Sequence, residues 1–218
     1  MEEIFLQSFK NLFIERCNHI PLLDMGEDSV RYDFFTALKT EYNLDNYEIK
    51  LESAINSQCF IPRADVNAYR KEKPKMDLVV DTLNMCAEFG LFRQNSNEEG
   101  TINKTDRLIK TLNDMIRLGL ESYFTHRKAY FICVADAKML RHRLRSGILG
   151  AFPSNYPITP NLVAELRQLR TANFDLRFIE KMNELNLSFD ATIIFNEPIV
   201  ADRINMETRL IIWNVTIC

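Results

Sequence analysis

The 218-residue chain contains few of the residues that interrupt regular structure, with only 6 glycines and 7 prolines. Hydrophobic residues make up 46% of it, and this composition is typical of a compact, globular protein. No run of eighteen apolar residues occurs, and the first residues mix Glu2, Glu3 and Lys10 with apolar side chains. We therefore expect neither a membrane-spanning segment nor a signal peptide.

The chain also lacks several motifs that would indicate particular chemistry. Its five cysteines are scattered without CxxC spacing, which is typical of reduced thiols and argues against disulfides or a structural zinc. His19, His126 and His142 are isolated from one another, so no catalytic triad is indicated. Glycine-rich phosphate loops, G-x-S-x-G elbows and kinase signatures are absent, which argues against nucleotide-dependent and α/β-hydrolase chemistry. The thiol pattern favours a cytoplasmic protein.

The formal net charge of -3 and the isoelectric point near 5.7 do not mark the whole protein as a nucleic-acid binder, so such a partner must meet a local basic patch. The densest basic segment spans residues 138–145, where Lys138, Arg141 and Arg145 share one face of a predicted helix. These side chains are either phosphate contacts or an ordinary solvated helix face.

Hydrophobic periodicity predicts both helices and strands. Helices are predicted over 1–17, 27–42, 104–123 and 161–187, and strands over 47–55, 129–135, 189–195 and 208–217. A strand, a helix and a covered strand in succession indicate an α/β core. Because the residues after a Gly/Pro-rich stretch at 147–160 are few for a separate domain, we expect one domain over 1–218. Its core covers about 27–145, and its C-terminal extension, about 146–218, adds a helix and two strands.

A predicted hairpin over residues 75–92 is the most informative segment. Its turn at Asp81–Asn84 sets a register that places Asp77 opposite Glu88. Directly opposed like charges destabilise a hairpin, so this pair calls for a compensating cation, for which a divalent metal bound by oxygen is the usual choice. The alternative is two exposed acids on a solvated strand face.

Alternation along the hairpin predicts one apolar face and one that carries the acids. The apolar face comprises Met76, Leu78, Val80, Met85, Ala87, Phe89 and Leu91. The other face combines Lys75, Asp77 and Glu88 with four apolar residues, so it is not a simple solvent surface; these four are Val79, Cys86, Gly90 and Phe92.

The segments Asp77 to Val80 and Ala87 to Gly90, with the long helix and the covered strand that follow, resemble the restriction-endonuclease-like PD-(D/E)XK nucleases over about residues 27–135. The resemblance implies an α/β fold with a mixed central sheet flanked by helices. It also implies a Mg²⁺-dependent (or Mn²⁺-dependent) DNA endonuclease, of a restriction or defence system, that works as a homodimer or with a partner subunit. Asp77 and Glu88 would be the metal ligands.

The chain departs from the family motif at two positions: Met76 stands at the motif's proline and Gly90 at its lysine. Since Lys75 faces Gly90 in the predicted register, its ammonium group would lie over the glycine and replace the missing catalytic cation. The alternatives are a solvated Lys75 and a fold of this type that has lost catalysis and serves as a DNA-binding or protein-interaction subunit.

Further site residues come from the same resemblance and from helical spacing. Glu27 and Glu52 match places where some family members carry an additional acidic metal ligand, although Glu27 also suits a helix N-terminus. Lys110 and Arg117 fall on one side of the long helix with Asp114, where they would approach the site or a phosphate.

Overall fold

The computed structural model describes residues 1–62, 74–93, 104–142, 152–169 and 174–218. Six α-helices and seven strands lie in these ranges. The helices are α1 (Glu3–His19), α2 (Glu27–Glu41), α3 (Lys104–Thr125), α4 (Ala137–Leu140), α5 (Pro160–Leu169) and α6 (Leu176–Glu184). The strands are β1 (Ile49–Ala54), β2 (Lys75–Val80), β3 (Met85–Phe92), β4 (Lys128–Asp136), β5 (Asn155–Ile158), β6 (Phe189–Pro198) and β7 (Thr208–Ile217).

The seven strands form one mixed sheet in the order β1-β2-β3-β4-β7-β6-β5. Only β3 and β4 run parallel, and α3 connects them; the other neighbouring strands pair antiparallel. Parallel neighbours need a crossover connection, and α3 provides it. The predicted mixed α/β sheet flanked by helices is therefore confirmed.

Helices cover both faces of the sheet. On one face, α1 and α2 pack Phe9, Phe13 and Phe34 into a core that also contains Phe89 of β3. Aromatic edge contacts link the layers, with ring centroids 5.2 Å apart for Phe9 and Phe34 and 5.4 Å apart for Phe34 and Phe89. On the other face, α3, α5 and α6 pack against β3, β4 and β7. Strand β4 is buried from Ala129 to Asp136, as its apolar run predicted.

The C-terminal strands belong to the same sheet as the N-terminal ones. Strand β7 lies between β4 and β6, so it is central to the sheet. The prediction of two late strands was incomplete, because β5 forms a third one within the Gly/Pro-rich stretch. Pro157 is compatible with β5 because this strand lies at the sheet edge and pairs with β6 alone among the described strands.

The basic segment after β4 is less helical than predicted. Helix α4 ends at Leu140, and Arg141 is its C-cap. Arg145 lies outside the described residues. None of the helices in the described ranges is long and apolar enough to span a membrane.

Candidate functional site

The β2–β3 hairpin has the register that its turn predicted. Val80 pairs with Met85 and Leu78 with Ala87, so Asp77 and Glu88 are the next residues along the two strands. Pairing ends at Leu78 and Ala87, although β2 begins at Lys75. Beyond this point Asp77 Oδ2 accepts a hydrogen bond from the Phe89 amide at 3.0 Å. The Asp77 carboxylate thus takes the place of a backbone carbonyl as the acceptor for the Phe89 amide, and this hydrogen bond fixes it beside Glu88.

Strand β2 changes face at Asp77. In its register with β1, Leu78 pairs with Leu51 and Met76 pairs with Ser53, but Asp77 and Glu52 do not pair. Glu52 has a φ of 51°, a left-handed conformation that non-glycine residues rarely adopt. Strict alternation would place Met76 and Leu78 on the same face. Instead, Met76 packs in the core beneath α3 and Leu78 in the core beneath α1 and α2, so the predicted position of Met76 was wrong.

Two acids and an arginine form the buried centre of the site. Glu88 of β3 and Asp114 of α3 are only 2% and 3% exposed. Arg117, one helical turn after Asp114, places Nη2 3.1 Å from Glu88 Oε2 and also hydrogen-bonds Asp114 Oδ1. The i,i+3 spacing on α3 brings both charged groups to the side that faces β3. Arg117 is therefore the internal counter-ion of two buried carboxylates.

Burial shifts the pKa values of these acids upward. Desolvation raises the pKa of Glu88 well above its ordinary value; Arg117 partly offsets this, and Asp114 and Asp77 raise the pKa further. Desolvation likewise raises the pKa of Asp114 to about 6, against the opposing effect of Arg117 and Lys110. For Arg117, burial lowers the pKa, but the two carboxylates outweigh it, so the pKa is raised. Both acids hold protons more tightly than exposed carboxyl groups do.

A rim of ion pairs surrounds the buried centre. Lys110 Nζ lies 3.0 and 2.8 Å from the two carboxylate oxygens of Glu27, at the first turn of α2. Arg31 of α2 hydrogen-bonds Glu52 of β1, and its Nη1 lies 3.7 Å from Asp77 Oδ1. Arg31 also bonds Asp28 on its own helix. Charged side chains of α2, β1, β2, β3 and α3 thus meet around the buried centre.

We call this group of carboxylates the acid cluster; it comprises Glu27, Asp28, Glu52, Asp77, Glu88 and Asp114. Three cations pair with it, namely Arg31, Lys110 and Arg117. With every group charged, six negative and three positive charges leave a formal charge of -3. An excess of negative charge favours either proton uptake by the buried acids, whose pKa values are raised, or a further cation.

Three buried polar atoms in this region have no hydrogen-bond partner within the described part of the chain: Glu88 Oε1, Arg117 Nε and Arg31 Nε. Buried polar groups are nearly always bonded, so unpaired ones call for an explanation such as a ligand or ordered water. Oxygen atoms are the ligands that Mg²⁺ prefers, and the free Glu88 Oε1 beside Asp77 fits that preference.

The predicted site residues divide into three groups. Asp77 and Glu88 lie together, as expected, while Glu27 and Glu52 lie at the rim and each pairs with a cation. Lys110 and Arg117 also contact the acid cluster. Arg141 instead pairs with Glu207 at 3.5 Å, and no ion pair within the described ranges joins Lys138 or Arg141 to the cluster.

The space beside Gly90, where the sequence predicts the Lys75 ammonium group, is already filled. A Cβ atom added to Gly90 would lie 2.8 Å from Phe92 Cζ and 3.3 Å from Phe131 Cζ, so aromatic rings already occupy that space. Since Met76 points towards α3, the preceding Lys75 projects to the opposite side, where it is exposed. The catalytic role of Lys75 stays a prediction, but the position over Gly90 on which it was based is filled by aromatic rings.

Two participants were missed by sequence reasoning. Arg31 was not considered, although its i,i+3 spacing from Asp28 signals a helix-surface ion pair. Nothing in the sequence signals its reach to Glu52 on β1, because that contact depends on how α2 packs on the sheet. Asp114 was placed on the correct side of α3 but not assigned to the acid pair that it joins.

Comparisons with protein-family models, curated proteins and solved structures give no match for this chain. Among the described residues, no group of three or more His, Cys, Asp or Glu side chains is arranged to hold a metal ion. Asp77 and Glu88 thus offer two carboxylates, and Asp114 is engaged with Arg117.

Proposed function

We propose that this protein is a Mg²⁺-dependent DNA endonuclease of the restriction-endonuclease-like PD-(D/E)XK type, from a restriction or defence system. One observation carries the proposal: Glu88 is 2% exposed, no hydrogen-bond donor among the described residues reaches its Oε1 atom, and Asp77 lies close enough to share a proton with it in a cluster of negative formal charge. Buried carboxylates are costly unless they are paired; Arg117 supplies one positive charge for Glu88 and Asp114, and a divalent cation would supply the remainder.

Each residue has a definite part in this proposal. Asp77 and Glu88 would hold the metal, with Glu27 and Glu52 as further carboxylates at the rim. When bound, a divalent cation supplies an activated water and stabilises charge on the phosphate. The Phe89 amide fixes the orientation of Asp77 through Oδ2, and Arg117 fixes Glu88 through Oε2. Lys138, Arg141 and Arg145 would contact the DNA backbone away from the reacting phosphate, in a homodimer or beside a partner subunit.

Calorimetric titration of Mg²⁺ and Mn²⁺, beside a plasmid-nicking assay, tests the proposal. Wild type should bind the ion and nick DNA, whereas Asp77→Asn should do neither. Asparagine keeps an oxygen that accepts the Phe89 amide bond, so the substitution removes charge without removing that contact. Asp81→Asn is the matched control because Asp81 lies on the same hairpin but pairs with Lys50 and Arg127.

A second function has its own supporting observation. The rings of Phe92 and Phe131 fill the space where the motif lysine would begin, which suits a fold that has given up the catalytic cation at that strand. The protein would then be a non-enzymatic DNA-binding or protein-interaction subunit. This alternative predicts that wild type neither binds the metal nor nicks DNA. If a fluorescence-anisotropy titration then shows that wild type still binds a duplex, the DNA-binding form of the alternative is favoured.

A further inference from the structure

We propose that Lys110 on α3 is the catalytic cation that contacts the scissile phosphate in place of the missing motif lysine, and that Arg117 is a positioning residue for Glu88 and Asp114. The inference rests on the proposed endonuclease function and deepens it. It assigns different tasks to the two cations that one helix presents to the acid cluster.

The motif position on β3 has no room for the catalytic cation. The space beside Gly90 holds aromatic rings, so no ammonium group can lie there without moving Phe92. Lys75 projects from the side of β2 opposite to Met76 and the α3 core. A cation that stabilises charge on a phosphate held at Asp77 and Glu88 must therefore come from an element other than the β2–β3 hairpin.

Arg117 is unsuited to this task because it is already committed. Its guanidinium group neutralises Glu88 at 3.1 Å and also hydrogen-bonds Asp114, and both acids are almost fully buried. Movement of Arg117 towards a phosphate would leave two buried carboxylates without their counter-ion, which is strongly unfavourable. A fixed guanidinium is suited to holding Glu88 Oε2 in place while Oε1, which no donor in the described ranges reaches, faces Asp77.

Arg31 is committed in a similar way at the rim. It bonds carboxylates on α2 and β1 and approaches Asp77 on β2, and its side chain is 15% exposed. Three acids from three elements hold it, so it orients the rim and is poorly placed to follow a substrate.

Lys110 has the two properties that the task requires: access and an exchangeable partner. Its side chain is 43% exposed and its one hydrogen-bond partner within the described ranges is Glu27, itself 34% exposed. Exchange of a partly exposed carboxylate for a phosphate oxygen costs little, because both are anionic acceptors in reach of water. The nearby Asp114 and Asp77 carboxylates keep the ammonium charged: burial tends to lower the pKa of Lys110, but these acids and Glu27 raise it overall.

Three lysine-to-methionine variants test the inference, since methionine keeps the aliphatic length and removes the charge. Lys110→Met should reduce the Mg²⁺-dependent nicking rate by about 100-fold, the loss expected for one transition-state contact, and still bind Mg²⁺. It should also weaken binding of a short DNA duplex by about tenfold when Ca²⁺ replaces Mg²⁺, as fluorescence anisotropy would measure.

Lys50→Met is the matched control, because Lys50 is also partly exposed and pairs with one acid of another network, Asp81. The nicking rate of Lys50→Met should stay within about twofold of wild type.

Lys75→Met distinguishes this inference from the strand-based hypothesis. If Lys75→Met loses activity and Lys110→Met keeps it, the role of Lys110 is overturned and that of Lys75 is supported. If wild type neither binds Mg²⁺ nor nicks DNA, the proposed function itself fails. If wild type does both and Lys110→Met nicks at the wild-type rate, only the present inference fails.

Glu27→Gln and Lys110→Arg provide readouts that a merely structural role would not produce. Glu27→Gln releases the ammonium group from its carboxylate, so the affinity for the duplex should rise by about threefold without a change in the helix content measured by circular dichroism. Lys110→Arg keeps the charge and should restore at least a tenth of the wild-type rate. Should Lys110→Met fail to fold, an inactive but folded Lys110→Arg would overturn the inference and an active one would support it.

Discussion

Two buried glutamates next to α3 differ in how completely their oxygens are bonded. Glu121, on α3 itself, is 3% exposed; its Oε2 accepts from the Asn56 amide at 3.1 Å and the Cys59 thiol at 3.4 Å, and its Oε1 accepts from Arg127 at 2.8 Å. Glu88 is as deeply buried, yet among the residues that the structure describes Arg117 binds its Oε2 and no donor reaches its Oε1.

Burial of an acid therefore does not by itself indicate a functional site. Glu121 ties the segment after β1 to α3, and Arg127 extends the network to Asp81 at the hairpin turn. That network is closed and stabilises the fold. The Glu88 centre is open at one oxygen and has acids as neighbours, an arrangement that costs folding free energy and is retained where a site needs it.

The largest expected effect is loss of stability at the closed network. Glu121→Gln should lower the free energy of unfolding by about 3 kcal/mol, because an amide cannot accept all three bonds and leaves Arg127 without its buried counter-charge. Urea unfolding followed by circular dichroism measures the change. Metal binding and nicking by the folded fraction should be unaltered, and a loss of either would place Glu121 in the functional site.

The next effect belongs to the open centre alone. If the Glu88 site binds Mg²⁺, the ion at one hundred times its dissociation constant should stabilise wild type by about 2.7 kcal/mol. Glu88→Gln should abolish this stabilisation, whereas Glu121→Gln should show it in full above its lower baseline. Urea unfolding with Mg²⁺ or with EDTA measures the difference. Equal stabilisation of wild type and Glu88→Gln would show that Mg²⁺ acts elsewhere.

The fold was predictable where local chemistry determines it. The turn at Asp81–Asn84 and the period-2 pattern determine the hairpin register, so the sequence predicts neighbouring positions for Asp77 and Glu88. The long amphipathic helix and the covered strand were predicted for the same reason, since α3 and β4 have strong and unambiguous periodicity.

The rest depended on contacts that no local pattern encodes. Glu52 of β1 has a left-handed conformation opposite the point where β2 changes face, and its sequence neighbourhood gave no turn signal. Met76 and Leu78 enter different cores at this point, so period-2 alternation alone assigns Met76 to the wrong core. Likewise, the pairing of Arg31 with Glu52 and of Arg117 with Glu88 arises from the packing of α2 and α3 on the sheet, so the counter-ions were harder to predict than the acids.

The smallest expected effect is a gain of stability at the open centre, opposite in sign to the loss at Glu121. In metal-free protein at pH 8, Glu88→Gln should raise the free energy of unfolding by about 1 kcal/mol, because it removes a buried charge and leaves the Arg117–Asp114 pair intact.

This gain should depend on pH because the pKa of Glu88 is raised in the folded protein. Below the ordinary carboxyl pKa, Glu88 is protonated in both the folded and the unfolded state, and its burial then carries no charge penalty. As the pH rises towards the folded-state value, the unfolded chain releases its proton first, and the folded state is progressively disfavoured. The advantage of Glu88→Gln should therefore be absent at pH 4 and grow with pH, as urea unfolding across this range would measure. A variant less stable than wild type at pH 8 would mean that Glu88, like Glu121, belongs to a closed structural network, and the distinction between the two glutamates would be lost.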